Sequence, residues 1–319
     1  MKKIFRIMIA SAFMIGAISC AKSEASLIPA GEEVEVTFVA DLGSLGTRLI
    51  ADGTTVDEVA WAIYEANKPN QQAPLAALQG TLKIENKQAT FSTRLVTGKA
   101  YDIAFFAYKA KDAAGDNIVD PLYYSVDWAT KSVTVDYSKP LANVEERDCF
   151  WHVEPNLLVN APLTKTFTLK RPLAQLNFGV TPEDVTLAKK AGLVVTHSSV
   201  TVDTYTSFNL FDGSVSGPKT ITFATNDIPD MATETLKVKV DGVEKEFEYL
   251  ATTYVLVADK ITSDVAAVVN DGTQDINTIK HTFVYLQRNW RTNIIGALLT
   301  SPANFTVVVD EKFVDDYIK

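Results

Sequence analysis

The stretch VEVTFVADL, residues 34–42, decides the fold class because apolar and polar residues alternate along it with a period of two. One face of the stretch carries its apolar residues, which are Val34, Val36, Phe38, Ala40 and Leu42. Successive side chains of a β-strand point to opposite faces, so this alternation predicts a strand with one buried face.

The same alternation recurs in segments rich in β-branched and aromatic residues: VAWAIYEA (59–66), YDIAFFAYKA (101–110), SVTVDY (132–137), KTFTLKR (165–171), LVVTHSSVTVD (193–203), FEYLATTYVLVA (247–258) and NFTVVVD (304–310). Turn pairs such as Asp212-Gly213 separate the segments. One segment has helix signals instead, with Thr181 as cap, Pro182 as first helical residue and Gly192 as stop. We therefore predict an all-β chain of two β-sandwiches, with one short helix in the second.

The alternation is lost at HVEPNLLVNAP, residues 152–162, which indicates a boundary between domains. The predicted organisation is a signal peptide at residues 1–19, a tether at 20–32, an N-terminal β-sandwich at 33–158 and a C-terminal β-sandwich at 159–319.

The first twenty residues have the layout of an export signal. Basic residues precede an uncharged apolar run, residues 7–18, which is too short to span a bilayer comfortably and fits a signal-peptide core. The run ends in AISC (17–20), which resembles the lipobox of bacterial lipoproteins, whose cysteine becomes the lipidated first residue of the mature chain. Ala17 stands where leucine is commoner, and an ordinary secretory signal is the alternative. We expect lipidation at Cys20.

The net charge disfavours nucleic acid as a partner. The formal charge is −9, and removal of residues 1–19, which carry three basic residues and no acidic ones, makes it about −12. Nucleic-acid binding needs clustered Lys and Arg against phosphate.

No pattern of catalytic or metal-binding residues stands out in the sequence. His152, His197 and His281 have no metal-ligand spacing, and Cys149 is the one cysteine after Cys20. We expect Cys149 to be a small, half-buried residue in a strand, and we expect no catalytic residue, no metal and no cofactor. Carboxylates brought together from distant segments are the alternative that would make the chain an enzyme.

Several segments, taken in order, carry a resemblance to a known family. The lipobox and first strand are followed by GTR (46–48), DGTTVDEVAWAIYEA (52–66), KRPLAQLNFGVTPEDV (170–185), FNLFDGSVSG (208–217) and QRNWRTNIIGALLT (287–300). This order resembles the fimbrillin family of Bacteroidales lipoproteins, the subunits of type V pili. The resemblance implies two transthyretin-like β-sandwich domains, an outer-membrane lipoprotein at the cell surface, and other pilus subunits as partners.

The resemblance also implies a processing site. In fimbrillins an arginine-specific protease cuts after a basic residue that follows the first strand, and Arg48 matches that place, which makes Leu49 the expected new N-terminus. Arg171 is followed by Pro172, which blocks trypsin-like cleavage. We interpret residues 34–42 as a plug, whose loss lets a strand from another subunit fill the groove by β-augmentation. The alternative is that Arg48 is a surface arginine in a loop and the strand stays.

The final predicted strand is the candidate donor, through its alternating residues Phe305, Val307 and Val309. Alternatively the tail is too short to donate, which would make the protein an anchor or terminal subunit, or a surface lipoprotein that does not polymerise.

We therefore expect a structural and adhesive subunit of cell-surface fimbriae, with a host or glycan ligand as a further partner. A non-polymerising, glycan-binding surface lipoprotein is the alternative. An exposed row of aromatic residues would favour sugar binding, and the candidates are Trp61, Tyr123, Tyr124 and Trp128. We also expect Arg288 and Arg291 to lay their stems on apolar surface and expose their guanidinium groups.

Overall fold

The structure is a computed structural model that describes residues 30–43, 53–66, 74, 78–111, 121–230, 234–301 and 305–310. Its strands in chain order are β1 (Glu33–Asp41), β2 (Glu58–Glu65), β3 (Gln79–Lys83), β4 (Gln88–Val96), β5 (Lys99–Tyr108), β6 (Tyr124–Asp127), β7 (Ser132–Val135), β8 (Phe150–Val159), β9 (Leu163–Thr168), β10 (Leu173–Val180), β11 (His197–Asn209), β12 (Val215–Asp227), β13 (Thr235–Val240), β14 (Val243–Leu256), β15 (Lys260–Asn270), β16 (Asp275–Gln287), β17 (Arg291–Gly296) and β18 (Phe305–Asp310). One α-helix, α1 (Pro182–Lys190), and one 3₁₀ turn (Glu145–Arg147) complete the elements of the described residues. The prediction of an all-β chain with one short helix is confirmed for this part of the sequence. The predicted signal peptide, Cys20, Arg48 and Leu49 lie outside the described residues.

Two sheets form the first sandwich. Sheet A has the strand order β4-β1-β9, and sheet B has the order β3-β2-β5-β8. The facing side chains of the two sheets form one hydrophobic cluster, whose fully buried members include Val36, Phe38, Ile63, Ile103 and Phe105. The alternation in β1 therefore produces the buried face that the sequence predicts.

Two further sheets form the second sandwich. Sheet C has the order β16-β15-β11-β7-β6, with β12 also paired to β11, and sheet D has the order β13-β14-β10-β17-β18. The edges of a flat five-stranded sheet would lie roughly 19 Å apart, yet Cα atoms of the edge strands β13 and β18 come within 8 Å of each other. Sheet D is therefore strongly curled. Gly179 lies at a bulge between β10 and β14, where an added Cβ would lie only 2.9 Å from Leu236 Cδ2.

The chain passes between the sandwiches more than once. The β6–β7 hairpin joins sheet C, where Val133 pairs with Phe208 of β11. Strand β9 joins sheet A, where Leu163 pairs with Val36 of β1. Strands β6 and β7, before the predicted limit at residues 158 and 159, thus pair in the second sandwich, and β9, after that limit, pairs in the first. The domain limits themselves stay a prediction.

A third hydrophobic cluster joins the two sandwiches. The ring centroid of Phe106 in β5 lies 5.3 Å from that of Tyr124 in β6 and 6.0 Å from that of Phe208 in β11. Leu173 and Leu256 of sheet D belong to the same buried cluster. The sandwiches are therefore connected by a shared core as well as by the chain itself.

Helix α1 begins as its cap signals predict. Thr181 Oγ1 accepts a hydrogen bond from the Asp184 backbone N–H at 3.3 Å, and Gly192 takes a positive φ of 78° just after the helix. The buried Asp184 carboxylate also accepts from the Leu299 N–H at 2.7 Å, which ties the helix start to the segment after β17. α1 has nine residues, and the described part of the chain holds no helix with the length and apolarity to cross a membrane.

Candidate functional site

Strand β1 carries the apolar face on which the strand-exchange hypothesis depends. Its inward side chains Val34, Val36, Phe38 and Ala40, and Leu42 just beyond it, are no more than 6% exposed. The Phe38 ring lies 5.6 Å from the Phe91 ring and 5.8 Å from the Phe167 ring. At roughly 1.5–3 kcal/mol for each large side chain, this burial contributes on the order of 6–12 kcal/mol before ordering costs.

β1 is the central strand of sheet A, with hydrogen-bonded neighbours on both sides. It pairs antiparallel with β4 from Glu33 to Asp41, and parallel with β9 from Val36 to Asp41. Because neighbouring strands lie about 4.8 Å apart, its removal would leave β4 and β9 about 10 Å apart, with unpaired backbone groups on both sides of a strand-wide gap. The central position argues against a loosely held plug. Exchange would require an incoming strand that takes over both sets of hydrogen bonds.

Strand β18, the candidate donor, is an edge strand of sheet D. Among the described strands it pairs with β17 alone, from Phe305 to Asp310. Phe305 and Val307 pack against the core of the second sandwich, whereas Val309 is 36% exposed. Donation of β18 to another subunit would therefore first require its release from β17.

The arginines of the described residues are poorly placed for a protease, which needs locally accessible backbone. Arg147, Arg171 and Arg291 are each less than 5% exposed. Arg94 is exposed, but it lies within β4 and pairs with β1. Arg288 is half-buried in the β16–β17 connection. None of these five matches an accessible processing site.

The prediction that Arg288 and Arg291 expose their guanidinium groups is wrong. Arg288 Nη2 donates to the Gly213 carbonyl oxygen at 2.7 Å and to the Val257 carbonyl oxygen at 3.0 Å. Arg291 Nη2 lies 3.6 Å from Asp310 Oδ2 at the edge of sheet D. Both groups bind partners within the fold because the β11–β12 turn, the residue after β14 and strand β18 supply oxygen acceptors that the sequence pattern does not reveal.

Arg171 has a structural role because it forms a buried ion pair with Asp148. Arg171 Nε lies 2.8 Å from Asp148 Oδ1 and Arg171 Nη2 lies 2.7 Å from Asp148 Oδ2, with side chains only 0% and 1% exposed. The guanidinium also lies 4.4 Å from the centroid of the Phe150 ring. The pair links the segment before β8 to the segment before β10, at the junction between the sandwiches.

Cys149 is fully buried just before β8, whereas the sequence predicts a half-buried residue within a strand. Burial raises the pKa of the Cys149 thiol well above its ordinary value. Among the described residues no group of three or more His, Cys, Asp or Glu side chains could hold a metal ion.

The four aromatic residues named for sugar stacking do not form an exposed row. Trp61 and Tyr124 are buried. Tyr123 and Trp128 are half-buried, and the Arg147 guanidinium covers the Tyr123 ring at 4.2 Å from its centroid.

Sequence reasoning missed a cleft between the two sandwiches. The cleft has a volume of about 510 Å³ and lies between β8, β9 and the turn that joins β11 to β12. Lys165 Nζ lies 2.6 Å from Glu154 Oε1, and His152 Nε2 lies 3.6 Å from Glu154 Oε2. Burial lowers the pKa of His152, against the raising effect of the Glu154 carboxylate. The signal in the sequence was a charged residue in phase with a buried phenylalanine of the same strand: Glu154 is four residues from Phe150, and Lys165 is two residues from Phe167.

Comparison with solved structures finds distant neighbours. A protein of Bacteroides thetaiotaomicron described as a candidate for polysaccharide binding is 13% identical, with a TM-score of 0.46 over 89% of this chain and 98% of that one. A fimbrial assembly protein of Parabacteroides distasonis is 13% identical, with a TM-score of 0.40 over 87% and 96% of the two chains. The fimbrial anchor protein Mfa2 of Porphyromonas gingivalis is 9% identical, with a TM-score of 0.40 over 87% and 94%.

Two of these three neighbours are described as fimbrial proteins, but with such low identities and TM-scores below 0.5 they assign no function to this chain. Comparison with curated proteins finds no match. A family model matches residues 33–319, which is the whole of the sequence after the predicted tether, and the protein therefore belongs to the family of unknown function DUF6562.

Proposed function

We propose that this chain is a structural and adhesive subunit of cell-surface fimbriae, exported as an outer-membrane lipoprotein through Cys20. The observation that carries the proposal is the buried apolar face of β1. β1 and Leu42 just beyond it carry four large inward side chains, and their removal would leave a groove that only another extended strand can fill. The order of fimbrillin-like segments along the sequence supports the same function.

Assembly proceeds by proteolysis after Arg48 and replacement of β1 by a strand from another subunit. The protection of Arg94, Arg147, Arg171, Arg288 and Arg291 supports selective cutting, because a protease acting on the folded chain meets buried or paired backbone at these positions. β18, with Phe305, Val307 and Val309, is the candidate donor, and its release from β17 is part of the exchange.

The first experiment treats the folded mature chain with an arginine-specific protease. N-terminal sequencing is expected to find a new terminus at Leu49, and size-exclusion chromatography with electron microscopy is expected to find polymers after cutting. Arg48→Ala should remain uncut and monomeric. Arg94→Ala is the matched control, since it removes an exposed arginine from a paired strand and should leave processing unchanged.

Two results would count against the proposal. An intact chain after protease treatment would contradict the proposed cleavage after Arg48. A cleaved chain that stays monomeric would contradict the proposed strand exchange. Deletion of residues 304–319 separates the roles of β18, because a folded product that no longer assembles indicates a donor, whereas an unfolded product makes β18 part of the core.

A further inference from the structure

The cleft between β8, β9 and the β11–β12 turn combines fixed aromatic rings with paired polar groups. Trp151 Nε1 donates to the Leu210 carbonyl oxygen at 2.7 Å, which fixes the indole ring. The centroid of the Phe211 ring lies 5.1 Å from that of the Tyr64 ring, and Lys131 Nζ lies 4.6 Å from the Phe211 centroid. Both rings line the cleft, and a cation lies over one face of each, Lys131 over Phe211 and Arg288 at 5.3 Å from the Trp151 centroid, so a ligand would pack on the opposite faces. Rings fixed in this way lose little entropy when a ligand packs against them.

The polar lining supplies both donors and acceptors without an excess of either charge. Glu154 accepts from Lys165 at 2.6 Å, so these two charges are already paired. Lys170 and Asp212 add one positive and one negative group, both exposed at the cleft. A balanced lining disfavours a strongly charged ligand, whereas hydroxyl groups, which both donate and accept, match such a lining.

The strand edges at the cleft are unsuited to a peptide strand. Pro155 in β8 has no N–H to donate, and Asn156 takes a positive φ of 57° beside a bulge in the pairing with β5. The inward-pointing Glu154 and Lys165 would also be desolvated by an added strand. The cleft therefore presents side chains rather than a regular row of backbone groups.

We infer that this cleft is a binding site for a neutral oligosaccharide, whose ring faces pack on Trp151 and Phe211 and whose hydroxyl groups bond Glu154, Lys165, Lys170 and Asp212. The volume of about 510 Å³ lies within the usual range of ligand sites, about 300–1,000 Å³. The inference rests on the adhesive part of the proposed function and does not require polymerisation.

The test uses the monomeric mature chain, with Cys20→Ser to prevent lipidation, on an array of defined oligosaccharides. The array holds neutral chains of glucose, galactose, mannose and N-acetylglucosamine beside chains that end in uronic or sialic acid. Binding to at least one neutral chain is expected, and calorimetry then measures its Kd. Glu154→Gln and Lys170→Gln should each weaken binding about tenfold or more, because each removes a charge-assisted hydrogen bond.

Glu246→Gln is the matched control, since it breaks an exposed Lys–Glu pair with Lys237 at 3.1 Å outside the cleft, and its Kd should equal that of the parent chain. Lys170 is exposed, so its variant should fold even where Glu154→Gln does not. No neutral binding, binding to acidic chains alone, or binding that both cleft variants retain would overturn the inference. So would preferential binding of an extended decapeptide library.

The two proposals fail separately. A chain that forms fibres but binds no neutral sugar overturns this inference alone. A chain that binds a neutral sugar at the cleft but is never cut after Arg48 overturns the polymerisation proposal alone.

Discussion

At the residue scale, the buried pair of Arg171 and Asp148 is the most consequential contact outside the hydrophobic cores. Both side chains are almost fully enclosed, and two nearly parallel hydrogen bonds join the guanidinium to the carboxylate. Such a pair need not stabilise the fold relative to apolar residues, but the loss of one partner leaves an uncompensated charge in the interior.

Arg171→Met should therefore lower the free energy of unfolding by about 3–5 kcal/mol, because the Asp148 carboxylate stays buried without the guanidinium counter-charge. Chemical denaturation followed by circular dichroism measures the change. Lys237→Met is the control, since it breaks an exposed pair with Glu246 and should cost at most about 1 kcal/mol. Equal losses in the two variants would contradict the role assigned to the buried pair.

The Cys149 thiol should be unreactive in the native chain. Its pKa is raised by burial, so the thiol stays protonated at pH 8, and the side chain is out of reach of reagents. In the Cys20→Ser chain, labelling by a disulfide reagent at pH 8 should be slow without denaturant and rapid with it. Rapid stoichiometric labelling of the native chain would show that the interior at this position is open.

At the element scale, β1 is both part of the core and the strand proposed to be exchanged. Its nine residues pair with β4 on one side, and six of them pair with β9 on the other. A strand so placed stabilises the precursor, and this is why the proposal requires proteolysis together with an incoming strand.

Phe38→Ala should destabilise the chain by about 3–5 kcal/mol, because the ring fills the space between Phe91 and Phe167. Glu35→Ala lies on the outward face of the same strand and should change stability by less than about 0.5 kcal/mol. Urea unfolding of both variants checks the difference. Equal losses of stability in Phe38→Ala and Glu35→Ala would contradict the assignment of one face of β1 to the core and the other to solvent.

At the scale of the whole molecule, the two sandwiches share a core and exchange strands along the chain. Phe106, Tyr124 and Phe208 meet at the junction, β6 and β7 complete sheet C, and β9 completes sheet A. Neither sandwich therefore corresponds to a continuous half of the sequence, and each depends on residues that the other half supplies.

We expect a single cooperative unfolding transition, with equal calorimetric and van't Hoff enthalpies. Phe105→Ala, inside the first sandwich, and Phe106→Ala, at the junction, should both shift this one transition to lower temperature. Differential scanning calorimetry provides the measurement. Two separate transitions, of which only one shifts to lower temperature in Phe105→Ala, would show that the sandwiches unfold as independent units.

The sequence by itself determined the local features of this protein. Period-two alternation identified β1 with its buried face and several further strands, and Thr181, Pro182 and Gly192 bounded the helix, because these features depend on residues close together in the chain.

Only the tertiary structure decided which strands are neighbours. Alternation indicates which side of a strand is buried but not which strand lies beside it. The central place of β1, and the places of β6 and β7 in sheet C and of β9 in sheet A, could therefore not be derived from it. The Arg171–Asp148 pair and the cleft with Glu154 and Lys165 likewise join residues whose proximity arises from long-range packing. A charged residue on the inward face of a predicted strand indicates such a buried polar site in the sequence. The tertiary fold determines which residue lies beside that charge.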